Sequence, residues 1–294
     1  WYKFDYNQEG LTSRSIMYWA KNDNPTEYYK IRNETISYFI EQTINNVTEW
    51  DFAQVLYQIC KDEIVCVSIK NNIWYEYISH RWFEIDSGNT LRLIISKRMH
   101  DIYMKKTTDT VNALQKIDIG NENHELLRKR SNKLTDLCLL LKKTNWKNNI
   151  MREAKELFYD KDFYNKLDNN PNLLCFNNFV VDFKNNTIRN GQPDDYISKC
   201  TNIDYIPYKI LNESYKEIVN EINLFIEQLF PNIELRNYMW EHLASTLIGN
   251  NNNQTFNIYT GSGANGKSKL VDLMSKVLGD YKATVPITLV TQKL

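Results

Sequence analysis

The chain has 294 residues, of which 42% are hydrophobic and 24% are charged, and its 36 basic residues balance 36 acidic ones. This length and apolar content suit two modest domains with real cores, and they exclude a disordered tail. Because the formal net charge is zero, any contact with nucleic acid has to come from local basic patches. The sequence shows neither a signal peptide nor an apolar run long enough to cross a bilayer, so we expect a soluble protein without a membrane partner.

Cysteine and histidine give no sign of a metal site. The cysteines are odd in number and lack CxxC spacing, and the histidines are isolated from one another: Cys60, Cys66, Cys138, Cys175, Cys200, His80, His100, His124 and His242. This pattern argues against a disulfide framework and against zinc, and a reducing compartment is the simplest setting for it.

Helical periodicity dominates the sequence. Apolar residues recur at helical spacing in seven stretches, which we predict as helices: residues 11–45, 48–59, 91–104, 125–143, 146–159, 214–230 and 235–247. Asn24-Pro25 breaks the first stretch in two, Thr48 to Asp51 has the pattern of a capping box that opens the second, and Pro231 ends the sixth.

Short β-prone runs between these helices predict small sheets. Residues 64–69 and 73–77 flank an Asn71-Asn72 turn, which favours a hairpin, and residues 81–85 follow as a third strand. Residues 173–183 predict a strand pair or bend around Asn177-Asn178. Residues 185–195 are rich in turn residues.

The clearest motif is Gly261-Ser262-Gly263-Ala264-Asn265-Gly266-Lys267-Ser268, which has the GxxxxGK(S/T) form of a phosphate-binding loop. In such a loop backbone N–H groups cradle a polyphosphate, the lysine reaches its terminal phosphates and the serine hydroxyl ligates Mg²⁺. Residues 256–259 form a β-prone run before the loop, and apolar residues at 270, 273, 274, 277 and 278 predict an amphipathic helix after it, ended by Gly279. This order places the phosphates at a helix N-terminus, where negative charge is favoured.

An asparagine directly before Gly-Lys-Ser, here Asn265, makes the loop resemble the Walker A motif of superfamily 3 helicases of viruses and plasmids. Upstream, residues 173–182 resemble the NGVYDL element of the poxvirus-type primase-helicase N-terminal domain, with Asn178 where that family usually has glycine. The spacing of residues 193–198 and of Pro207-Tyr208 also matches. Two further segments, residues 15–21 and 74–82, resemble the region that joins primase to helicase in large cytoplasmic DNA viruses, including giant viruses.

The resemblance implies a fold that is mostly α with small β elements, an α+β collar domain, followed by the start of an α/β P-loop AAA+ core. It implies a helical linker after a primase region at residues 1–46 and the collar domain at 47–212. The helical lead-in, first strand, P-loop and helix of a truncated ATPase would occupy 213–294. The chain begins at Trp1 and the loop comes late, so we expect a middle piece of a longer polypeptide.

Carried over to these positions, the family places Lys267 on the β- and γ-phosphates as the catalytic residue and Ser268 on Mg²⁺. The backbone of residues 261–266 would be the cradle, and Asn265 would be a polar neighbour of the phosphates. ATP and Mg²⁺ are therefore the implied cofactors. The Walker B carboxylates, sensor and arginine finger would follow Leu294, so we expect the 294-residue piece alone to be inactive.

The implied activity of the full-length protein is ATP-dependent DNA unwinding by a homo-hexameric ring during viral DNA replication. The implied partners are single-stranded or forked DNA and a primase domain that precedes this piece in the same polypeptide. The implied location is a viral replication factory in the host cytoplasm.

Two basic stretches are candidates for contact with nucleic acid. Their residues are Lys142, Lys143, Trp146 and Lys147, with Arg152 and Lys155, and then Lys97 and Arg98, with Lys105 and Lys106. Cations can meet a phosphate backbone while an aromatic ring stacks on a base. The alternative is a solvated helix face with Trp146 in the core, which we favour because Glu153 and Glu156 dilute the first stretch.

Two other functions stay open. The chain could be an oligomerisation and single-stranded DNA-binding module without catalysis of its own, in which case the loop would be incidental. It could also belong to a small-molecule P-loop kinase, although such kinases usually carry the loop near the start of the domain.

Overall fold

The computed structural model describes residues 13–118, 121–210, 213–251, 254–255, 257–286 and 288. The chain divides into two compact units, the first formed by residues 1–78 and 82–165 and the second by residues 79–81 and 166–294. The described residues are mostly helical with small β elements, as the sequence predicted, and the strands form two three-stranded sheets. The domain boundaries at residues 46/47 and 212/213 stay predictions.

The first unit combines long helices with one sheet. Its elements in chain order are α1 (Ser13–Asp23), α2 (Pro25–Asn45), α3 (Glu49–Cys60), β1 (Ile64–Ser68), β2 (Ile73–Ile78), β3 (Arg81–Ile85), α4 (Asn89–Ile94), α5 (His100–Leu114), α6 (Glu122–Lys142), α7 (Thr144–Leu157) and the short α8 (Phe163–Lys166). The strands are hydrogen-bonded in the order β1-β2-β3, and β1 is antiparallel to β2. The predicted helices and hairpin of this region are confirmed.

Two helix starts follow from local sequence. The side chain of Asn24 accepts a hydrogen bond from the Glu27 N–H (3.2 Å) and Pro25 opens α2, while the Thr48 side chain accepts one from the Asp51 N–H (3.2 Å) at the start of α3. Each cap satisfies a backbone N–H that the helix itself leaves without a partner.

Aromatic packing organises the core of the first unit. Phe52 is fully buried, stacks on Tyr103 with ring centroids 5.7 Å apart, and meets Trp146 edge-on at 5.9 Å. The Tyr103 hydroxyl shares a 2.7 Å hydrogen bond with the hydroxyl of Thr43. Helices α2, α3, α5 and α7 are therefore joined around one ring cluster.

The predicted helix at residues 91–104 changes its winding in the middle. Residues Ile95–Met99 form a π-helical turn between α4 and α5. Ile95 and Met99 are fully buried, whereas Lys97 and Arg98 on the same turn are exposed. Turns of this kind are rare and frequently occur at functional sites.

The second unit carries a small sheet and three helices. Its elements are β4 (Leu173–Cys175), β5 (Val180–Asp182), β6 (Thr187–Arg189), α9 (Glu213–Leu229), α10 (Ile233–Ser245) and α11 (Lys267–Leu278). The strands form an antiparallel meander in which Cys175 pairs with Val180 and Asp182 with Thr187. The predicted strand pair at residues 173–183 is confirmed.

Two sequence predictions need correction here. The turn-rich segment 185–195 contains strand β6, which forms because β5 offers it a hydrogen-bonding edge. The β-prone run at residues 256–259 is not a strand over its described residues 257–259, and Phe256 lies outside them. In the described part of the chain no strand pairs with this run, and an unpaired strand leaves its N–H and C=O groups unsatisfied.

Apolar side chains of α9, α10 and α11 form a small core in the second unit. Ile226, Met239, Leu243 and Leu270 are buried together. The predicted amphipathic helix at residues 270–278 is therefore confirmed, and its apolar face is directed at the two preceding helices. None of the helices that the structure describes has the length and apolar character needed to span a bilayer.

Candidate phosphate-binding loop

The loop at residues 261–268 leads directly into α11, and Gly266 is the residue at which it turns. Gly266 has a φ of +82° and forms the N-cap of α11. A Cβ atom there would lie 3.1 Å from Leu229 Cδ1 and 3.5 Å from Phe225 Cε2. Glycine is therefore required both by the left-handed backbone and by the close packing of α9 behind the loop.

The Lys267 ammonium group is held across the loop by neutral acceptors. It donates to Asn265 Oδ1 at 2.6 Å and to the carbonyl oxygens of Gly261 and Ser262 at 3.3 Å each. Within the described residues no carboxylate forms an ion pair with it. The positive charge therefore lies in the mouth of the loop with three uncharged partners, which an anionic ligand can replace.

The start of α11 is open to an anion. No side chain caps this end, and its first turn contains no acidic residue. Ser268 is exposed and lies next to Lys267. Free N–H groups, an ammonium and a hydroxyl are the donor and ligand set that a magnesium-bound polyphosphate needs, so the residues present fit Mg²⁺-ATP.

Residues just after α11 anchor it within the second unit. Gly279 ends the helix with a φ of +53°, as the sequence predicted for this position. The Asp280 N–H donates to the Cys200 carbonyl at 2.9 Å, and the Tyr281 hydroxyl accepts from the Cys175 N–H at 3.0 Å. These contacts attach the end of the loop-bearing helix to β4 and to the segment around Cys200.

The Asp280 carboxylate collects three donors. They are Asn202 Nδ2 at 2.7 Å, Arg81 at 2.9 Å and the Cys200 N–H at 3.1 Å. Burial works against the charged form, but these hydrogen bonds and the Arg81 charge outweigh it and hold the pKa of Asp280 below its usual range. Sequence reasoning gave Asp280 no role, because its partners are distant in the chain and no local pattern reveals them.

We expect the replacement Asp280→Asn to destabilise the second unit at neutral pH but not in acid. The folded-state pKa of Asp280 is depressed, so its stabilising contribution is present above the unfolded-state pKa and is lost as pH falls through the folded-state pKa. Calorimetric unfolding at pH 7 and at about pH 3 checks this. The expectation would be contradicted if the difference in unfolding free energy between variant and wild type were the same at both pH values.

The two basic stretches meet in the first unit, although sequence reasoning treated them as separate. The Nζ of Lys142 donates to the Ser96 carbonyl, and the Nζ of Lys147 donates to Ser96 Oγ at 3.0 Å. Trp146 instead packs against the core, where its ring meets Phe52 and its Nε1 is buried. Trp146 is therefore half-buried against the core, which supports the favoured interpretation over a ring free to stack on a base.

Within the described residues, the cysteines and the side chains that could ligate a metal give no sign of a thiol or metal site. All five cysteines are buried and unpaired, and burial raises the pKa of Cys66 to about 11 and of Cys60 to about 12, which keeps these thiols protonated. Across the residues that the structure describes, no group of three or more His, Cys, Asp or Glu side chains is arranged to hold a metal ion.

Comparison with known proteins places the chain in a family. The family model described as "D5 N terminal like" matches residues 53–224. A protein of Acanthamoeba polyphaga mimivirus named "putative helicase" is 33% identical over the whole chain, which covers 30% of that protein. A "putative helicase" of Frog virus 3 is 22% identical over 92% of the chain and 36% of its own length. A "putative primase" of African swine fever virus is 23% identical over 97% of the chain and 31% of its own length.

The chain therefore belongs to the viral primase-helicase family that this N-terminal-like domain defines. It spans about a third of the length of the relatives it matches. The family match covers much of the first unit, the sheet of the second unit and part of α9, and it ends before the phosphate-binding loop.

Proposed function

We propose that this chain is part of a viral DNA replication primase-helicase in which loop 261–268 binds Mg²⁺-ATP. The observation that carries the proposal is the Lys267 ammonium, held across the loop at an uncapped helix start. Family membership supports the same function, because relatives are named as helicases and primases. In the full-length protein, a homo-hexameric ring would bind single-stranded or forked DNA, and ATP hydrolysis by the ring would drive unwinding of the duplex.

Each residue of the loop has a role in this proposal. Lys267 exchanges its contacts with Asn265, Gly261 and Ser262 for the terminal phosphates, and its charge offsets the negative charge that develops during phosphoryl transfer. Ser268 holds Mg²⁺, and the backbone N–H groups of residues 261–266 cradle the phosphates. When bound, the magnesium ion neutralises phosphate charge and orients the reacting groups.

The proposal also covers the domains that surround the loop and the place where the protein works. The first unit and the sheet of the second act as a collar that carries the start of a superfamily 3 ATPase. A primase domain precedes them in the same polypeptide, and the protein works in a replication factory in the host cytoplasm. Hydrolysis would also require Walker B carboxylates, a sensor residue and an arginine finger.

We expect Lys267→Ala in the full-length protein to lower DNA-stimulated ATP hydrolysis about a hundredfold, because one positioned charge at the transferred phosphate is lost. Steady-state phosphate release with and without single-stranded DNA measures this. The matched control is Lys269→Ala, since Lys269 is an exposed lysine two residues further along α11. It is expected to retain the wild-type rate.

The outcomes separate the proposed function from its alternatives. Unchanged hydrolysis in Lys267→Ala would show that this loop is not the ATP site. A wild-type protein that binds single-stranded DNA but never hydrolyses ATP would favour the assembly and DNA-binding module. Phosphorylation of a small molecule that does not depend on DNA would favour the kinase.

A further inference from the structure

Six cations lie on helical segments of the first unit that meet at Ser96. We name them the Ser96 cluster: Arg92, Lys97, Arg98, Lys142, Lys143 and Lys147. They come from α4, from the π-helical turn at Ile95–Met99 and from the junction of α6 with α7. Tertiary folding therefore brings together two basic stretches that are far apart in the sequence.

Hydrogen bonds fix three members of the cluster in position. Lys142 and Lys147 both donate to Ser96, one to its carbonyl oxygen and the other to its hydroxyl. Arg92 donates to the side-chain oxygen of Asn148 at the start of α7. The other three members, Lys97, Arg98 and Lys143, are exposed, and their side chains make no hydrogen bond within the described residues.

The cluster differs from other cations of the same unit in having no ion-pair partner within the described residues. Other cations of the same unit have carboxylate partners, such as Lys106 with Glu41 at 2.6 Å and Arg32 with Asp62 at 2.8 Å. In the part of the chain that the structure describes, no member of the Ser96 cluster forms an ion pair.

The acidic residues closest in sequence do not change this balance. Asp101 faces His100, and Glu49 accepts a hydrogen bond from Asn149 at 3.1 Å. Glu153 and Glu156 lie more than one helical turn beyond Lys147 on α7. On a chain whose net charge is zero, six like charges at one place repel one another and create a local field that attracts polyanions.

We propose that the Ser96 cluster binds the phosphate backbone of single-stranded nucleic acid. The inference rests on the proposed function and assigns it a surface in the first unit. A polyanion with evenly spaced charges fits better than a single phosphate, because the cations extend over three helical segments. The ring of Trp146 packs against the core on Phe52, so the cluster acts through phosphate contacts and not through base stacking, and binding is insensitive to base sequence.

The test measures binding of the 294-residue chain to fluorescent oligonucleotides by anisotropy, without nucleotide. The triple variant K97E/R98E/K143E changes the three members of the cluster whose side chains make no internal hydrogen bond. We expect this variant to bind the oligonucleotides at least about tenfold more weakly than wild type. The slope of log affinity against log salt concentration is expected to fall by about two, because about three phosphate contacts are lost. Oligo-dT and mixed-sequence strands are expected to lose affinity equally.

Two control variants make the result specific. K70E/K116E/K161E makes the same charge change at three exposed lysines of the first unit that have no ion pair, and it is expected to bind within about twofold of wild type. K97R/R98K/K143R keeps the positive charge and is expected to retain affinity, because backbone phosphates are bound mainly through charge. Thermal unfolding of each variant confirms that it is folded.

The proposal is overturned if the wild-type chain does not bind, if both glutamate variants lose affinity equally, or if the cluster variant binds normally. It is also overturned if polyglutamate competes as well as DNA does, since the partner would then be an acidic protein. The assay contains no ATP and does not depend on Lys267. A negative result here therefore leaves the ATP-site proposal standing, and failure of the Lys267 test leaves this one standing.

Discussion

We expect Gly279→Ala to lower the free energy of unfolding of the second unit by about 3 kcal/mol or more, the combined cost of backbone strain and overpacking. Gly279 has a φ of +53° and a ψ of −119°, a combination that side chains disfavour. A Cβ atom there would lie 2.4 Å from the Thr201 carbonyl oxygen and 2.7 Å from that of Cys200. These atoms belong to the backbone and cannot move aside as a side chain can.

We expect the Gly279→Ala substitution to destabilise the candidate ATP site as well, because α11 is attached to the rest of its unit at Gly279. Hydrogen exchange of the α11 amides is expected to accelerate more than a hundredfold if unfolding of the unit limits it. The control is Gly263→Ala, since no atom lies within 4 Å of a Cβ built at Gly263. Equal exchange rates in the two variants would show that the clash at residue 279 is relieved without cost.

The second large effect is expected for Phe52→Ala, which should destabilise the first unit by about 3–5 kcal/mol. Phe52 is fully buried between the rings of Tyr103 and Trp146. Removing its ring loses the transfer free energy of a large apolar group and leaves a cavity that its rigid neighbours cannot fill. Because Trp146 lies in the first turn of α7, the loss also loosens the helix junction that carries Lys143 and Lys147.

Urea denaturation followed by tryptophan fluorescence measures this change. Six of the seven tryptophans belong to the first unit, so the signal reports mainly on it. The control is Leu126→Ala on α6, where the side chain is 63% exposed and the expected change is within about 0.5 kcal/mol. A Phe52→Ala midpoint close to the control would mean that the ring cluster contributes little to stability.

Local signals in the sequence predicted most helices well. The break at Asn24-Pro25 and the cap at Thr48 are encoded within four residues, and both occur in the structure as predicted. Periodicity also predicted the buried face of α11 around Leu270. The prediction did not show that α4 passes into α5 through a π-helical turn, because one additional residue in a turn hardly changes an apolar pattern.

Strands were predicted less completely, because a strand depends on its neighbours. β6 forms in a turn-rich segment since β5 offers it a partner, and residues 257–259 remain outside any strand despite their β-prone side chains. Hydrogen bonding between segments decides such cases, and propensity by itself does not.

For the candidate sites, the sequence by itself determined which residues have the required chemistry. The motif at residues 261–268 and the two basic stretches are visible in the printed chain. Only the tertiary structure decided what surrounds them. It places Lys267 among neutral acceptors, attaches α11 through Asp280, packs Trp146 against the core and brings together at Ser96 the helical segments that carry six cations. The physical reason is that residue chemistry is local, whereas burial, partners and charge balance arise from contacts between distant parts of the chain.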